Sequence, residues 1–340
     1  MQQNEFFCVN TINSIRGSIS IFSVEASMIT HHRPFEYESA DFKNMCALIV
    51  KDNCTKKDCF VWNVARLVDW KYNLFNPLSH FPGYFSNAAH LWFNYFDELI
   101  GFVISEGFDD QFEILLLEDH DYLYPEMLSW VSSVWGKQYQ ELNTCAVESH
   151  QSRIAALERA GYKRTEDIEK IRIFDTALFA DYALPTSPLS FQSMDVNKNY
   201  KNQGLLRQSA WPSNKYDAEM DEAIRAYIRT SPIYDARFDF VLVDVTGAHV
   251  SGCEAFIDRF NNTAEIERVC THADHHNKGY AQIALKSCMR ILHENNIQIA
   301  YLTGWDDRTI HLYGKLGHIK EFTRNSYCLE LENKLKTHIQ

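Results

Sequence analysis

Glycine and proline are scarce in this chain, 13 and 8 among 340 residues. That scarcity excludes collagen-like, linker-dominated and extensively disordered architectures. No uncharged apolar run approaches the roughly 18–20 residues needed to cross a bilayer. The start, Met1-Gln2-Gln3-Asn4-Glu5, lacks the basic residues and apolar core of a secretory signal. Basic side chains are outnumbered, 33 Lys+Arg against 45 Asp+Glu, a net charge of −12. A general binder of nucleic acid or of anionic membranes is therefore not expected. The nine cysteines are odd in number and scattered, unlike a disulfide framework. Cys54 and Cys59 stand close together, but no second cysteine pair and no spaced histidine pair completes a zinc set. Reduced, mostly buried thiols in a cytoplasmic protein are the expectation. What is present is ordinary globular material, 46% hydrophobic, 14% aromatic and 23% charged, at a length for roughly two domains.

The clearest shift in composition is Ala183-Leu184-Pro185-Thr186-Ser187-Pro188-Leu189-Ser190, near the midpoint, where two prolines break any helix or central strand. A division there invites a search for an internal repeat. In the second half Asp239–Asp244 turns into His249–Phe256, and in the first half His90–Tyr95 turns into Glu98–Ile104, each reading as a β-hairpin. Gly101 and Gly252 hold the same place in the two hairpins, 151 residues apart. A further strand follows each, Phe112–Leu117 and Ala264–Val269, and then an amphipathic helix. Met127, Trp130, Val131, Val134 and Trp135 form one apolar stripe, with Gly136 placed to cap it. Ala281, Ala284, Leu285, Cys288, Met289 and Leu292 form the other. Each copy then carries a strand and a short helix ending in a glycine, Gly161 or Gly317. The expected organisation is an extension over 1–26, a first copy over 27–182, a linker over 183–190 and a second copy over 191–340. Each copy is an α+β unit with a mixed, mainly antiparallel sheet flanked by helices.

Chemistry concentrates where the second copy's strand gives way to its long helix, at Val269-Cys270-Thr271-His272-Ala273-Asp274-His275-His276-Asn277-Lys278-Gly279-Tyr280-Ala281. Backbone N–H groups at a helix start lack intrahelical partners and carry the positive end of the dipole, so they suit a phosphate. Gly279 lets the backbone approach such a ligand closely, and Lys278 adds a positive charge. His276-Asn277-Lys278-Gly279-Tyr280-Ala281 matches the spacing Arg/Gln-x-x-Gly-x-Gly/Ala. Further on, Asp306 and then Leu312-Tyr313-Gly314-Lys315-Leu316-Gly317-His318 match a later element, Asn followed by Leu-Tyr-x-x-x-Gly-Phe.

On those two ordered elements the chain resembles the GCN5-related N-acetyltransferase (GNAT) family over about 191–332, and more loosely over the first half from about residue 27. The resemblance implies two tandem GNAT-like domains and acetyl-CoA as co-substrate. It places the pyrophosphate on the loop of His276, Asn277, Lys278, Gly279, Tyr280 and Ala281, with Asp306 in the position of the family's asparagine. The backbone of Val269, Cys270 and Thr271 would pair with the pantetheine arm. His276, Asp306 and His318 depart from the usual residues. The first copy has Glu118-Asp119-His120-Asp121-Tyr122-Leu123-Tyr124-Pro125 at the equivalent place, without glycine and with three acids that repel a pyrophosphate, so it reads as a degenerate domain.

Acyl transfer to an amine needs a base for the ammonium proton and an acid for the departing thiolate. The resemblance gives Tyr313 the acid's role. Candidate bases are Glu254, Glu265 and Glu267, with Glu267 preferred as nearest the expected thioester. Alternation along the strand would put Glu265, Glu267, Val269 and Thr271 on one face. His272, His275 and His276 lie in the loop assigned to phosphate and no second ligand set is visible, so no metal is expected. The expected activity is direct N-acetyl transfer to a primary amine of a small molecule or peptide, with no nucleic-acid or membrane partner. A non-catalytic CoA-sensing module, or transfer of another acyl group or to a hydroxyl or thiol, remain the alternatives.

Overall fold

The computed structural model describes residues 31–55, 62–72, 82–212 and 218–331; the expected extension over 1–26 and Cys59 lie outside them. In chain order the elements are β1 (His31–Pro34), α1 (Asp41–Thr55), α2 (Val64–Tyr72), α3 (Pro82–Ala88), β2 (Ala89–Phe93), β3 (Leu99–Ile104), β4 (Glu113–Leu116), α4 (Tyr124–Val134), β5 (Glu141–Val147), α5 (Gln151–Arg159) and β6 (Lys163–Asp175). They continue with β7 (Leu189–Ser193), α6 (Met194–Asn197), α7 (Tyr200–Ala210), α8 (Ala218–Ile228), β8 (Asp239–Asp244), β9 (His249–Asp258), β10 (Thr263–Thr271), α9 (Tyr280–Glu294), β11 (Ile299–Gly304), α10 (Asp307–Gly314) and β12 (Lys320–Glu330). Among the described residues no helix is long and apolar enough to cross a membrane.

The chain forms two compact units. Of the described residues, the first takes 31–55, 82–166 and 326–331, and the second takes 62–72, 167–212 and 218–325. The units thus part within β6 and β12, whereas composition pointed to 183–190. Strand pairing explains the difference. Lys170 to Asp175 of β6 already pair antiparallel with Gly304 to Ile299 of β11, which commits the chain to the second unit's sheet before Pro185 is reached. The 183–190 segment then leads into β7, paired with β8 from Leu189↔Asp244 onward.

The first unit has an antiparallel sheet β1-β2-β3-β4. Its core gathers Trp92, Val103, Ile114, Met127, Val131, Leu142 and Leu157, so the stripe on α4 is indeed the buried face. Gly136 is not a left-handed cap, because α4 ends at Val134 and runs straight into a 3-10 turn over Trp135–Lys137. A Cβ there would lie 3.1 Å from Leu331 Cδ1, a tight contact that the leucine side chain would have to ease. In the second unit the strand order is β12-β6-β11-β10-β9-β8-β7. Leu285, Cys288, Met289 and Leu292 of α9 lie against Phe240, Ala255, Ile266 and Leu302 of that sheet. The two copies share a constraint that the sequence spacing anticipated. A Cβ on Gly101 would meet Leu115 O at 2.9 Å, and one on Gly252 would meet Phe240 O at 2.7 Å, so each hairpin needs glycine where a neighbouring strand crowds in.

Candidate active site

β10 and β11 pair in parallel only from Thr263↔Ile299 to Glu265↔Tyr301. β10 then runs on to Thr271 with β9 along one edge, while among the described residues its other edge has no strand partner. Along that stretch the ladder with β9 slips, Glu267 facing Glu254 and Cys270 facing Gly252, so Arg268 and Val269 together oppose Cys253. This is a β-bulge, and Arg268 adopts a left-handed φ of 50° to make it.

The bulge corrects the expected alternation. Ile266 and Val269 face the cluster that contains Leu285 and Tyr313, whereas Cys270 packs against Met194, Leu206 and Val241 on the other side. Thr271 pairs with Ser251, their hydroxyls 3.1 Å apart, and so does not share a face with Glu267. The backbone carries the consequence for binding. His272 N–H donates to Val250 O at 3.0 Å, so by strand alternation the polar groups of Thr271 point away from β9, toward the unpaired edge.

That edge leads into the loop singled out by sequence. Gly279 is the N-cap of α9 with φ 76°, and no side chain caps the helix. The first intrahelical bond joins Ile283 N–H to Gly279 O at 3.2 Å, so the N–H groups of Tyr280, Ala281 and Gln282 precede it. A Cβ on Gly279 would have no atom within 4 Å. Positive φ explains the glycine here, and the space above it is open to a ligand. Asn277 also has a positive φ, 62°. The loop is tied back to its surroundings. Ala273 N–H donates to Ser209 Oγ at 3.0 Å, His276 Nε2 lies 3.1 Å from Thr271 O, and Lys278 Nζ lies 3.2 Å from His275 Nδ1. His272 and His275 meet ring to ring, centroids 5.8 Å apart. Among the described residues no cluster of three or more His, Cys, Asp and Glu is placed to hold a metal ion.

Tyr313, on α10, is 5% exposed. Burial, and then the Glu267 carboxylate, push its phenol well above the ordinary range. Glu267 is half-buried, while Glu254 and Glu265 are buried. Asp306 has a clear local task as the N-cap of α10. Its Oδ1 accepts from Thr309 N–H at 2.6 Å, and the Thr309 hydroxyl closes a capping box. Those bonds hold its carboxyl below the usual range against the opposing effect of burial. A Cβ on neighbouring Gly304 would lie 2.9 Å from Ile310 N, so β11 and α10 approach as closely as backbones allow.

Sequence reading missed the ionic group on the α7 side of the sheet. Asp239, 1% exposed, accepts from Gln203 Nε2 at 2.7 Å, Arg207 Nη2 at 3.1 Å and Tyr234 Oη at 3.0 Å. Burial, with Glu254 adding to it, nevertheless raises its carboxyl. Glu254 Oε2 accepts from Arg207 and Arg268, and Arg268 also reaches Asp69 on α2. A left-handed arginine costs about 1–2 kcal/mol, and breaking a buried ion pair costs about 3–5 kcal/mol, so these partners are ample to hold the bulge. The available signal was Asp239 opening an otherwise apolar strand, and Arg268 within a run that has to enter a core.

The acetyltransferase (GNAT) family model matches residues 205–318. No curated protein sequence matches the chain. Among solved structures, a tandem GNAT protein from the clavulanic acid biosynthesis pathway aligns with a TM-score of 0.59 at 12% identity, over 89% of this chain and 98% of that one. A GCN5-related N-acetyltransferase from Sphaerobacter thermophilus aligns with a TM-score of 0.54 at 13% identity, over 88% and 95%. A GNAT-family acetyltransferase from Colwellia psychrerythraea gives 0.52 at 9% identity, over 87% and 99%. At these identities the likeness is one of fold, and it spans both copies.

Proposed function

We propose, from the match of residues 205–318 to the acetyltransferase (GNAT) family model, that the second unit is an N-acetyltransferase moving the acetyl group of acetyl-CoA directly to a primary amine. One observation carries the reading. Parallel pairing of β10 with β11 stops at Glu265↔Tyr301, and the bulged edge beyond it ends at an uncapped helix start with Gly279 at its tip. An elongated ligand with amides at one end and phosphates at the other fits that sequence of groups. Val269, Cys270 and Thr271 would flank the pantetheine arm through their backbone. His276, Asn277, Lys278, Gly279, Tyr280 and Ala281 would surround the pyrophosphate, donating backbone N–H groups and the Lys278 charge.

Bound there, acetyl-CoA supplies an activated thioester carbonyl. Glu267 takes the proton that the attacking ammonium must lose, and Tyr313, held protonated by burial, returns one to the departing thiolate sulfur. Asp306 acts through α10, whose first turn it caps, and so sets the helix that carries Tyr313. The described cysteines are free thiols, which suits a reducing compartment such as the cytoplasm. Acceptors are small-molecule or peptide amines.

Titration calorimetry with acetyl-CoA, followed by thiol release with a panel of amines, tests the proposal. Saturable binding and amine-dependent thiol release are expected. Absence of CoA binding would sink it. Binding without turnover would leave a non-catalytic CoA-binding module.

A further inference from the structure

Asp69 stands on α2, nine residues long, which comes from the first half of the sequence and lies in the second unit. Ala65 and Val68 of α2 pack with Phe256 of β9, and Tyr72 meets Tyr227 at 5.5 Å between ring centroids. Spacing of three and four residues puts Asp69 on that same face. Its carboxylate takes Arg268 Nη2, while Arg268 Nη1 goes to Glu254 and the guanidinium lies 5.1 Å above the Phe256 ring. Arg268 is also the residue in the left-handed conformation that creates the bulge. Val269 follows it directly, on the stretch of β10 whose outer edge has no strand partner among the described residues.

We propose that Asp69 is a positioning residue for the second unit's cleft. By gripping Arg268 from a helix outside the sheet, it holds the bulge and thereby sets the backbone edge at Val269 and Thr271. The second copy is therefore incomplete as residues 191–340, because one of its supports is encoded some two hundred residues upstream of the bulge. The role in cofactor binding rests on the function proposed above; the role in holding the bulge does not.

Both are read on the full-length chain carrying Asp69→Asn, with Glu294→Gln, in an exposed pair with Arg290, as the control. Amide hydrogen exchange should speed up about tenfold or more in peptides covering 266–271, with little change elsewhere in the unit. The acetyl-CoA dissociation constant should rise about tenfold, since a displaced backbone edge loses its aligned contacts. Glu294→Gln should change neither. Unchanged exchange at 266–271 overturns the proposal, and so does a rise spread evenly over the unit, which marks a merely structural helix. If the parent chain binds no acetyl-CoA, the functional reading falls while the exchange data still decide the role of Asp69.

Discussion

The two copies meet the same junction, a strand that splays from its parallel neighbour and then starts a helix, and they fill it differently. In the first unit the segment just before β4 meets β5 through an isolated parallel bridge, Gln111↔Asn143. Leu117 N–H donates to Ile100 O on β3, so alternation turns the polar groups of Ile114 outward. Arg153 of α5, 9% exposed, occupies that outward edge. It donates to Ile114 O at 3.3 Å, pairs with Asp121 at 2.8 Å and lies 4.9 Å over the Tyr124 ring. The helix start is spent as well. Tyr124 N–H donates to Asp121 O within the preceding 3-10 turn, and Pro125 has no N–H to offer. In the second unit the outer edge of β10 meets His276 only at Thr271 O, and the first turn of α9 is uncapped. One splay is closed by its own arginine and acids, and the other is the edge where acetyl-CoA is proposed to lie.

Moving the first copy's acid into the second should have the largest effect. Gly279→Asp puts a carboxylate where phosphate is proposed to lie, and acetyl-CoA affinity should fall a hundredfold or more, about 3 kcal/mol. Gly279→Asn tolerates the same positive φ without the charge and should lose far less. Equal losses in the two variants, by calorimetry, would remove the electrostatic half of the comparison.

Each unit also buries a histidine, and pH separates their surroundings. Burial lowers His249 from 6.5 to about 4, and burial with His32 and Arg33 nearby does the same for His90. Both folded values lie below that of the unfolded chain, which therefore takes up protons first as pH falls. The stability each contributes is whole above about pH 6.5 and is lost progressively toward pH 4, on the order of 3 kcal/mol apiece. Among the described residues His249 has no hydrogen-bond partner on either ring nitrogen, whereas His90 Nε2 lies 2.8 Å from His32 Nδ1. His249→Leu should therefore flatten the fall in melting temperature between pH 6.5 and 4 at little cost at neutral pH. A parallel curve would refute the assignment.

Arg153→Met tests whether the plug alone closes the first copy. Losing a largely buried ion pair should cost about 2–3 kcal/mol in denaturant unfolding. Acetyl-CoA stoichiometry should stay at one per chain, because Asp119, Asp121 and Pro125 remain at the helix start. A second binding site in this variant would show that only the arginine keeps the first copy empty.

The duplicated hairpins, the paired glycines and the loop at Gly279 were legible because each is local. Spacing and turn chemistry specify them within a dozen residues. The bulge was not legible, since Glu265-Ile266-Glu267-Arg268-Val269 alternates as a regular strand does and only the pairing with β9 reveals the extra residue. Asp69 and Arg153 were hidden for a related reason. Each acts on a strand far away in sequence, and no periodicity within α2 or α5 signals the partner. The unit boundary follows a different signal. Pro185 and Pro188 mark a local break in regular structure, but pairing of β6 with β11 decides where one unit gives way to the other.

The smallest effect concerns the helix that carries Tyr313. Asp306 takes the place of the asparagine in the family's motif, yet its carboxylate is occupied in the capping box with Thr309. A residue whose work is capping should respond as caps do. Asp306→Ala should cost about 1 kcal/mol of stability, while Asp306→Asn and Asp306→Ser should cost only a few tenths. Because α10 positions Tyr313, turnover should fall with the cap in the alanine variant and recover in the other two, with acetyl-CoA affinity nearly constant throughout. The equivalent helix in the first copy, α5, has no side-chain cap at His150, and four residues before its closing Gly161 it carries Leu157, where the second copy has Tyr313 four before Gly317. If Asp306→Asn lost acetyl-CoA affinity while keeping its stability, the carboxylate would be a ligand contact, and the contrast between the two helices would rest on binding rather than on capping.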